Sequence, residues 1–385
     1  MKKPCSIPGV LPLFILAWIF IFNSCSSPEI RGYISDKGLV EVFPTGLTYA
    51  DGSDAYAEVS AVVFDGKNLI FGNDKSIPSS PIEHYSSVFQ ISENSFPSTP
   101  EKYFASPAFL TATKYEDFTI TPDHDYIFAC TGFDRIHPSG SSEWDHFNTL
   151  LCWPVVAPGK VQVVSSVISE NTSSSVGLRQ KISKALANIE FPDGVPYFKI
   201  EGLAALPNHQ LLFGIREFGD SYKSFHYSIK IINTNYEIEN GMVVLPHEFK
   251  LIYEVSPELL QLTTQQSVAI SSLEYDPINH QIFLLTSYEN NNNDIVTDED
   301  IGAFLWVLTP EDLKNNLPPT LVLNSNNSLP LHFAHKAEGL TVIDKNTVLL
   351  VHDDDRVCGR TPITNPKTQF YRKANEMAWT MVKFN

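Results

Sequence analysis

The chain is poor in cysteine and in positive charge. Five of its 385 residues are cysteine, and two of them, Cys5 and Cys25, lie at the N-terminal end. Cys130, Cys152 and Cys358 remain, an odd set that cannot pair fully within one chain and that lacks zinc-site spacing. Cys130 and Cys152 fall on consecutive expected strands, which leaves a bridge and two buried thiols as alternatives. Lys and Arg number 27 against 44 Asp and Glu, a net charge of −17. So few cations exclude nucleic acid and anionic membrane surfaces as partners, since both require basic patches. Also missing are a Gly-x-Ser-x-Gly elbow, a Walker loop, a His-Glu-x-x-His pair and a glycine-rich dinucleotide turn, so nucleophilic serine catalysis has no support.

No apolar run reaches the roughly 20 residues that a membrane-spanning helix needs. The run at residues 9–22 follows Lys2 and Lys3, as in a secretory signal, and ends in Asn23-Ser24-Cys25-Ser26-Ser27. A Cys after a small residue at that point resembles the bacterial lipobox. The resemblance implies cleavage after residue 24, acylation of Cys25, a tether over residues 25–36 and a folded domain over residues 37–385. The protein would then sit in the cell envelope, periplasmic or surface-facing, held to the membrane by lipid alone. Phe22-Asn23 stand where Leu and a small residue are usual, which leaves ordinary secretion or an uncleaved anchor open. Loss of residues 1–24 takes the net charge from −17 to −19.

What the chain does have is a module that recurs five times. A small or acidic residue opens an apolar strand, a turn follows, and a second apolar strand ends 15 residues after the opener. The openers are Glu58, Asp117, Glu201, Ser272 and Glu338, and their partners are Asn73, Gly132, Arg216, Ser287 and Asp353. A unit that cannot bury its own apolar face must stack on copies of itself. The openers are spaced by 59, 84, 71 and 66 residues, and two further strands fit in each interval. This predicts an all-β chain forming a single β-propeller of four-stranded antiparallel blades. Six blades are expected over five or seven, with residues 38–42 and the chain after Asp353 completing the sixth and closing the ring. The longest interval holds an insertion at residues 173–188, where Val176, Ile182 and Leu186 predict a short helix.

Two copies are close kin: Glu201-Gly202-Leu203-Ala204 and Glu338-Gly339-Leu340-Thr341. Together with the strands that follow them, they resemble the bacterial propellers called "esterase-like activity of phytase" domains and related Glu-Gly-Leu-blade propellers. The resemblance implies a propeller fold, and its family label suggests hydrolysis of phosphate or carboxylic esters.

In a propeller, the residue opening a first strand and the one closing the second share a face. Glu58, Asp117, Glu201 and Glu338 are therefore expected near one channel mouth, with Arg216 and Asp353 completing a binding set. Asp74, Asp134, Asp354, Asp355 and Arg356 would surround them. Crowded carboxylates suit a hard cation such as Ca2+, which takes six to eight oxygens. A structural alternative has each opener accepting backbone amides of the next blade, and Arg216 pairing with Glu201. His352, beside three aspartates, is a candidate base. Asp294, Asp298, Glu299 and Asp300 lie in a polar loop without EF-hand spacing. Two functions follow. One is a monomeric binding lipoprotein taking a small molecule, glycan or protein partner at the acidic mouth. The other is a Ca2+-dependent hydrolase of phosphate or carboxylic esters.

Overall fold

Short turns led by aspartate close most of the first hairpins. Asp65 Oδ1 accepts from the amides of Lys67 and Asn68, at 2.9 and 2.7 Å. Asp276 Oδ1 does the same for Ile278 and Asn279, and Asp344 Oδ1 for Asn346. These bonds fold the chain back tightly. A left-handed residue turns four of the five corners: Gly66, His124, the Asn208-His209 pair and His280.

The computed structural model describes residues 29–78, 84–168, 172–260, 262, 267–289, 301–353 and 372–385. Strand β1 (Ile30–Glu41) precedes the first unit, which is β2 (Val59–Phe64), β3 (Asn68–Asn73), β4 (Val88–Ser92) and β5 (Lys102–Tyr103). The second is β6 (Tyr115–Ile120), β7 (Tyr126–Thr131), β8 (Leu150–Pro154) and β9 (Gln162–Val163). The third is β10 (Tyr197–Leu206), β11 (Gln210–Ser221) and β12 (Ser224–Asn235). After a side ribbon of β13 (Glu237–Glu239) and β14 (Met242–Val244), it is completed by β15 (Lys250–Val255). The fourth is β16 (Ala269–Asp276), β17 (Gln281–Glu289), β18 (Ile301–Leu308) and β19 (Thr320–Asn324), with β20 (His332–Phe333) also on β18. The fifth is β21 (Ala337–Asp344), β22 (Thr347–His352) and β23 (Glu376–Phe384). Its fourth strand is β1, antiparallel to β23.

The chain is thus all-β, built of four-stranded antiparallel sheets in a propeller arrangement. Among the described residues there are five such units where six blades were expected. Residues 38–42, assigned to a sixth blade, largely belong to β1, and β1 supplies the missing outer strand of the fifth unit. The closure is N-terminal strand on C-terminal strand, but within one sheet. β1 also pairs in parallel with β19, joining the fourth and fifth units. Residues 30–36, expected as tether, lie in β1 for the same reason: their backbone groups are taken up by β23 and β19. The insertion carries a helix over Arg179–Ala185, and Ile182 and Leu186 are buried.

Burial explains the ring. The first strands β2, β6, β10 and β16 are almost entirely buried, because neighbours cover both faces. The outer strand β15 instead mixes exposed and buried positions. First strands touch in the cyclic order β2, β6, β10, β16, β21 and back to β2. Each apolar cluster spans one junction: Phe71 and Phe89 with Trp379 between units five and one, and Ile70 and Val88 with Trp153 between one and two. Cys130 and Cys152 pack with Phe198 and Phe213 between two and three. Ala204 and Ile231 meet Leu273 and Trp306 between three and four, and Leu285 and Leu305 meet Leu350 between four and five. Burying each such side chain is worth about 1.5–3 kcal/mol, so the ring is held at its junctions. Cys130 and Cys152 are free thiols in that core.

The Glu-Gly-Leu motif follows from this packing. A Cβ on Gly339 would stand 2.6 Å from the Ser60 carbonyl of the next first strand. One on Gly202 would stand 2.9 Å from Leu273. Glycine is required where two first strands approach this closely, and the following Leu203 and Leu340 fill the junction cores.

Candidate functional site

Every first strand carries a β-bulge near its start. The pairing slips at Ser60, Glu116, Glu201, Ser271 and Glu338. These five residues are structural equivalents, and a bulge re-aims the side chain it carries. The shared register differs from the 15-residue alignment of openers. Two residues before the bulge stand Glu58, Lys114, Lys199, Ala269 and Lys336. One residue after it stand Ala61, Asp117, Gly202, Ser272 and Gly339. The signal that identifies this register is the recurring Lys-x-Glu of Lys114-Tyr115-Glu116, Lys199-Ile200-Glu201 and Lys336-Ala337-Glu338.

Those lysines and glutamates form a buried ionic ring at one mouth of the channel. Lys114 Nζ lies 2.9 Å from Glu116 and 3.1 Å from Asp134. Lys199 bridges Glu116, at 3.3 Å, and Glu201. Lys336 contacts Glu338 at 2.5 Å and Glu289 at 3.5 Å. Arg216 reaches Glu201 at 3.0 Å. Burial opposes the charge on Lys199, yet Glu116 and Glu201 hold its ammonium well above the usual lysine range. Lys336 is raised in the same way by Glu289 and Glu338. Burial works against Glu201 as well, but Arg216 and Lys199 outweigh it and lower the carboxyl. Burial wins at Glu116 and Glu338, which are raised. Such a network holds its charges because each is paired.

Asp117 lies deeper and plugs the channel. Its Oδ2 accepts from the amides of Leu203 at 2.7 Å and Leu273 at 3.1 Å, and Oδ1 from Phe118 at 3.0 Å. Ser272 Oγ donates to the same carboxylate at 3.1 Å. Burial raises its pKa, and these four donors act in the other direction. One side chain of the second unit thereby ties the first strands of the third and fourth. A step further along, Thr119 Oγ1 accepts from Ala205 N at 3.1 Å and donates to Glu274 Oε2 at 3.0 Å. β6 also touches β16 and β21 across the ring, so the channel is packed in its middle.

Glu58 groups near the rim with two carboxylates, Asp74 and Asp353, that do not belong to the openers, and Glu58 and Asp353 are both buried (2% and 4% exposed). Oxygens of Glu58, Asp74 and Asp353 lie within 4.8 Å of one another. Lys75 Nζ contacts Glu58 at 2.6 Å, and its side chain is about half exposed (49%). Burial, with Glu116 nearby, pushes the Asp74 carboxyl up to about 6, although Lys114, Lys199 and Lys75 act to lower it. Arg135 lies on the rim too, 2.7 Å from Asp134.

Of the four carboxylates expected to share a cation, Glu58, Asp117, Glu201 and Glu338, the structure therefore makes three different environments. Glu58 joins Asp74 and Asp353, Glu201 and Glu338 are in the ionic ring, and Asp117 bonds backbone amides. Arg216 pairs with Glu201, and also donates to the Ile270 carbonyl and Ser287 Oγ of the fourth unit, at 3.1 and 3.0 Å. His352 is buried, its Nε2 2.8 Å from Thr380 Oγ1. Cys25, Cys358, Asp354, Asp355 and Arg356, and the loop carrying Asp294, Asp298, Glu299 and Asp300, lie outside the described residues. Among the described residues no helix is long and apolar enough to cross a membrane.

No protein-family profile and no curated protein matches the chain. Similar solved structures include a member of the DUF4221 family from Bacteroides vulgatus, with 10% identity over 93% of this chain and 99% of that one and a TM-score of 0.40. The luciferin-regenerating enzyme is 8% identical over 90% and 97% of the two chains, with a TM-score of 0.36. The Dos1 propeller is 8% identical over 84% and 70%, with a TM-score of 0.32. Similarity this low assigns no activity.

Proposed function

We propose that the protein is an exported, lipid-anchored propeller of the binding type, whose ligand is contacted at the charged channel mouth. The blades are read as five, on the cyclic contacts of the first strands. One observation carries the functional reading: Glu58, Asp74 and Asp353 bring carboxylate oxygens from two units within 4.8 Å at the rim. Partly exposed Lys75 and Arg135 flank them. Acceptors and donors side by side suit a ligand dense in hydroxyl groups, such as a glycan, whose hydroxyls donate to carboxylates and accept from ammonium or guanidinium. Glu58 and Asp353 are themselves buried, so a ligand would meet the partly exposed Lys75 and Arg135 first. Anchoring rests on the lipobox-like end at Cys25.

Calorimetry of the soluble domain, residues 26–385, against a panel of neutral oligosaccharides tests the reading. Binding is expected for the native domain and is expected to fall at least about tenfold in Asp74→Asn, one lost charge-assisted bond. Binding unchanged by Asp74→Asn and Lys75→Ala would move the ligand away from the mouth.

A second reading is a Ca2+-dependent hydrolase of phosphate or carboxylic esters. It draws support from the same three carboxylates, which offer three of the six to eight oxygens that Ca2+ takes. Metal-stimulated turnover of aryl phosphate or aryl ester substrates, abolished by chelator, would favour it over simple binding.

A further inference from the structure

A cavity lies at the other end of the first strands, beyond the Asp117 plug. Its volume is about 250 Å³. Phe64, Ile120, Tyr275, Ile278, Val342 and Ile343 line it, so four of the five units contribute. Into this mostly apolar wall, which also includes Thr121 and His124, comes one carboxyl group, Glu274, which is 2% exposed. An acid here carries a desolvation cost that an apolar side chain would not, set against a single inter-unit bond from Thr119.

Its hydrogen bond fixes its orientation. Thr119 Oγ1 accepts from the Ala205 amide and donates to Glu274 Oε2. That bond assigns Oε2 as the acceptor and leaves Oε1 as the atom that can carry a proton. Burial, reinforced by the Asp117 carboxylate across the ring, keeps the group protonated well above the usual carboxylate range. A neutral carboxylic acid in an apolar pocket is a hydrogen-bond donor that needs no counter-ion.

We propose that this cavity is a second binding site, independent of the charged mouth, for a small neutral apolar molecule carrying one acceptor oxygen that Glu274 holds. A void of about 150 Å³ takes benzene, so this one has room for a six-membered ring with a carbonyl or ether substituent. The Asp117 and Thr119 bonds that close the channel separate it from the mouth, so ligands at the two sites bind without competing.

The test uses cyclohexanone and cyclohexylammonium as probes, with methyl-labelled soluble domain observed by NMR. Cyclohexanone is expected to shift the methyl signals of Ile120, Val342 and Ile343, and cyclohexylammonium is not. Glu274→Gln keeps the acceptor for Thr119 and presents an amide N–H in place of the acid proton, so binding is retained. Glu274→Leu removes the donor and is expected to weaken cyclohexanone about tenfold. Ile278→Trp, at a rim position that is 56% exposed, fills the entrance without touching the core and is expected to abolish the shifts. Absence of cyclohexanone shifts in the native domain would overturn the proposal. So would preferential binding of the ammonium, or equal affinity of the folded Glu274→Leu variant.

Discussion

Arg216 Nη1 stands 3.0 Å from Glu201 Oε2, and both side chains are at most 2% exposed. The two lie at the same end of one hairpin, Arg216 between Ile215 and Glu217 of β11 and Glu201 in the bulge of β10. From there the guanidinium reaches into the fourth unit, so one residue closes its own hairpin and a junction. Removing it strands a buried carboxylate. Arg216→Met is expected to lower unfolding free energy by about 3–5 kcal/mol in urea titrations, the cost typical of breaking a buried pair from one side. A loss below about 1 kcal/mol would mean that Lys199 alone balances Glu201.

Asp117 ties three first strands through three amides and one hydroxyl. Asp117→Asn keeps one acceptor oxygen but turns an amide NH2 toward groups that also donate. Denaturation should show a loss of at least about 2–3 kcal/mol, the cost of buried donors left unmade. Ligand affinity at the mouth of the folded fraction should stay unchanged, since Asp117 lies below the ionic ring.

Stability should depend on pH through Asp74. Its folded pKa, about 6, is raised above the ordinary carboxyl value of 3.8. Between about pH 4 and 6 the folded chain holds a proton that the unfolded chain has released, so this group's contribution falls as pH rises through that window and is level above it. Asp74→Asn should remove this group's share of the slope, leaving the variant more stable than the native domain at pH 7 by on the order of 3 kcal/mol, and much closer to it at pH 4. Melting curves at pH 4, 5, 6 and 7 for both proteins measure the difference.

Calcium offers an independent check on the rim carboxylates. If Glu58, Asp74 and Asp353 take the ion, calcium at 100 times its dissociation constant stabilises the fold by about 2.7 kcal/mol. The Tm should rise with calcium and return with chelator, and Asp353→Asn should abolish the response. A Tm indifferent to calcium and to chelator would reject the cation site.

Anchoring is tested at Cys25. Cys25→Ser should release the protein from membranes and block its labelling with a radioactive fatty acid. Membrane retention without lipid labelling would indicate an uncleaved anchor.

The sequence alone determined the repeat and its use. Continuous apolar runs, Asp-led turns and the repeated spacing are local properties, so the five hairpins and the four-stranded units were legible. The Glu201–Arg216 proximity was legible too, since the ends of one hairpin are fixed by the turn between them. The bulge was not, because a single extra residue leaves the apolar pattern intact while moving the equivalence of openers by one or two positions. That shift hid the Lys-x-Glu ring and placed Asp117 in the channel interior. The rim cluster and the Glu274 cavity also depended on the tertiary fold: Glu58 meets Asp353, and Thr119 meets Glu274, across more than 150 residues. That β1 completes the sheet of β21, β22 and β23 was likewise not legible, since only strand pairing shows it. Local periodicity encodes strands, whereas which strands share an edge, and which side chains meet across the ring, is settled by packing among segments distant in the chain.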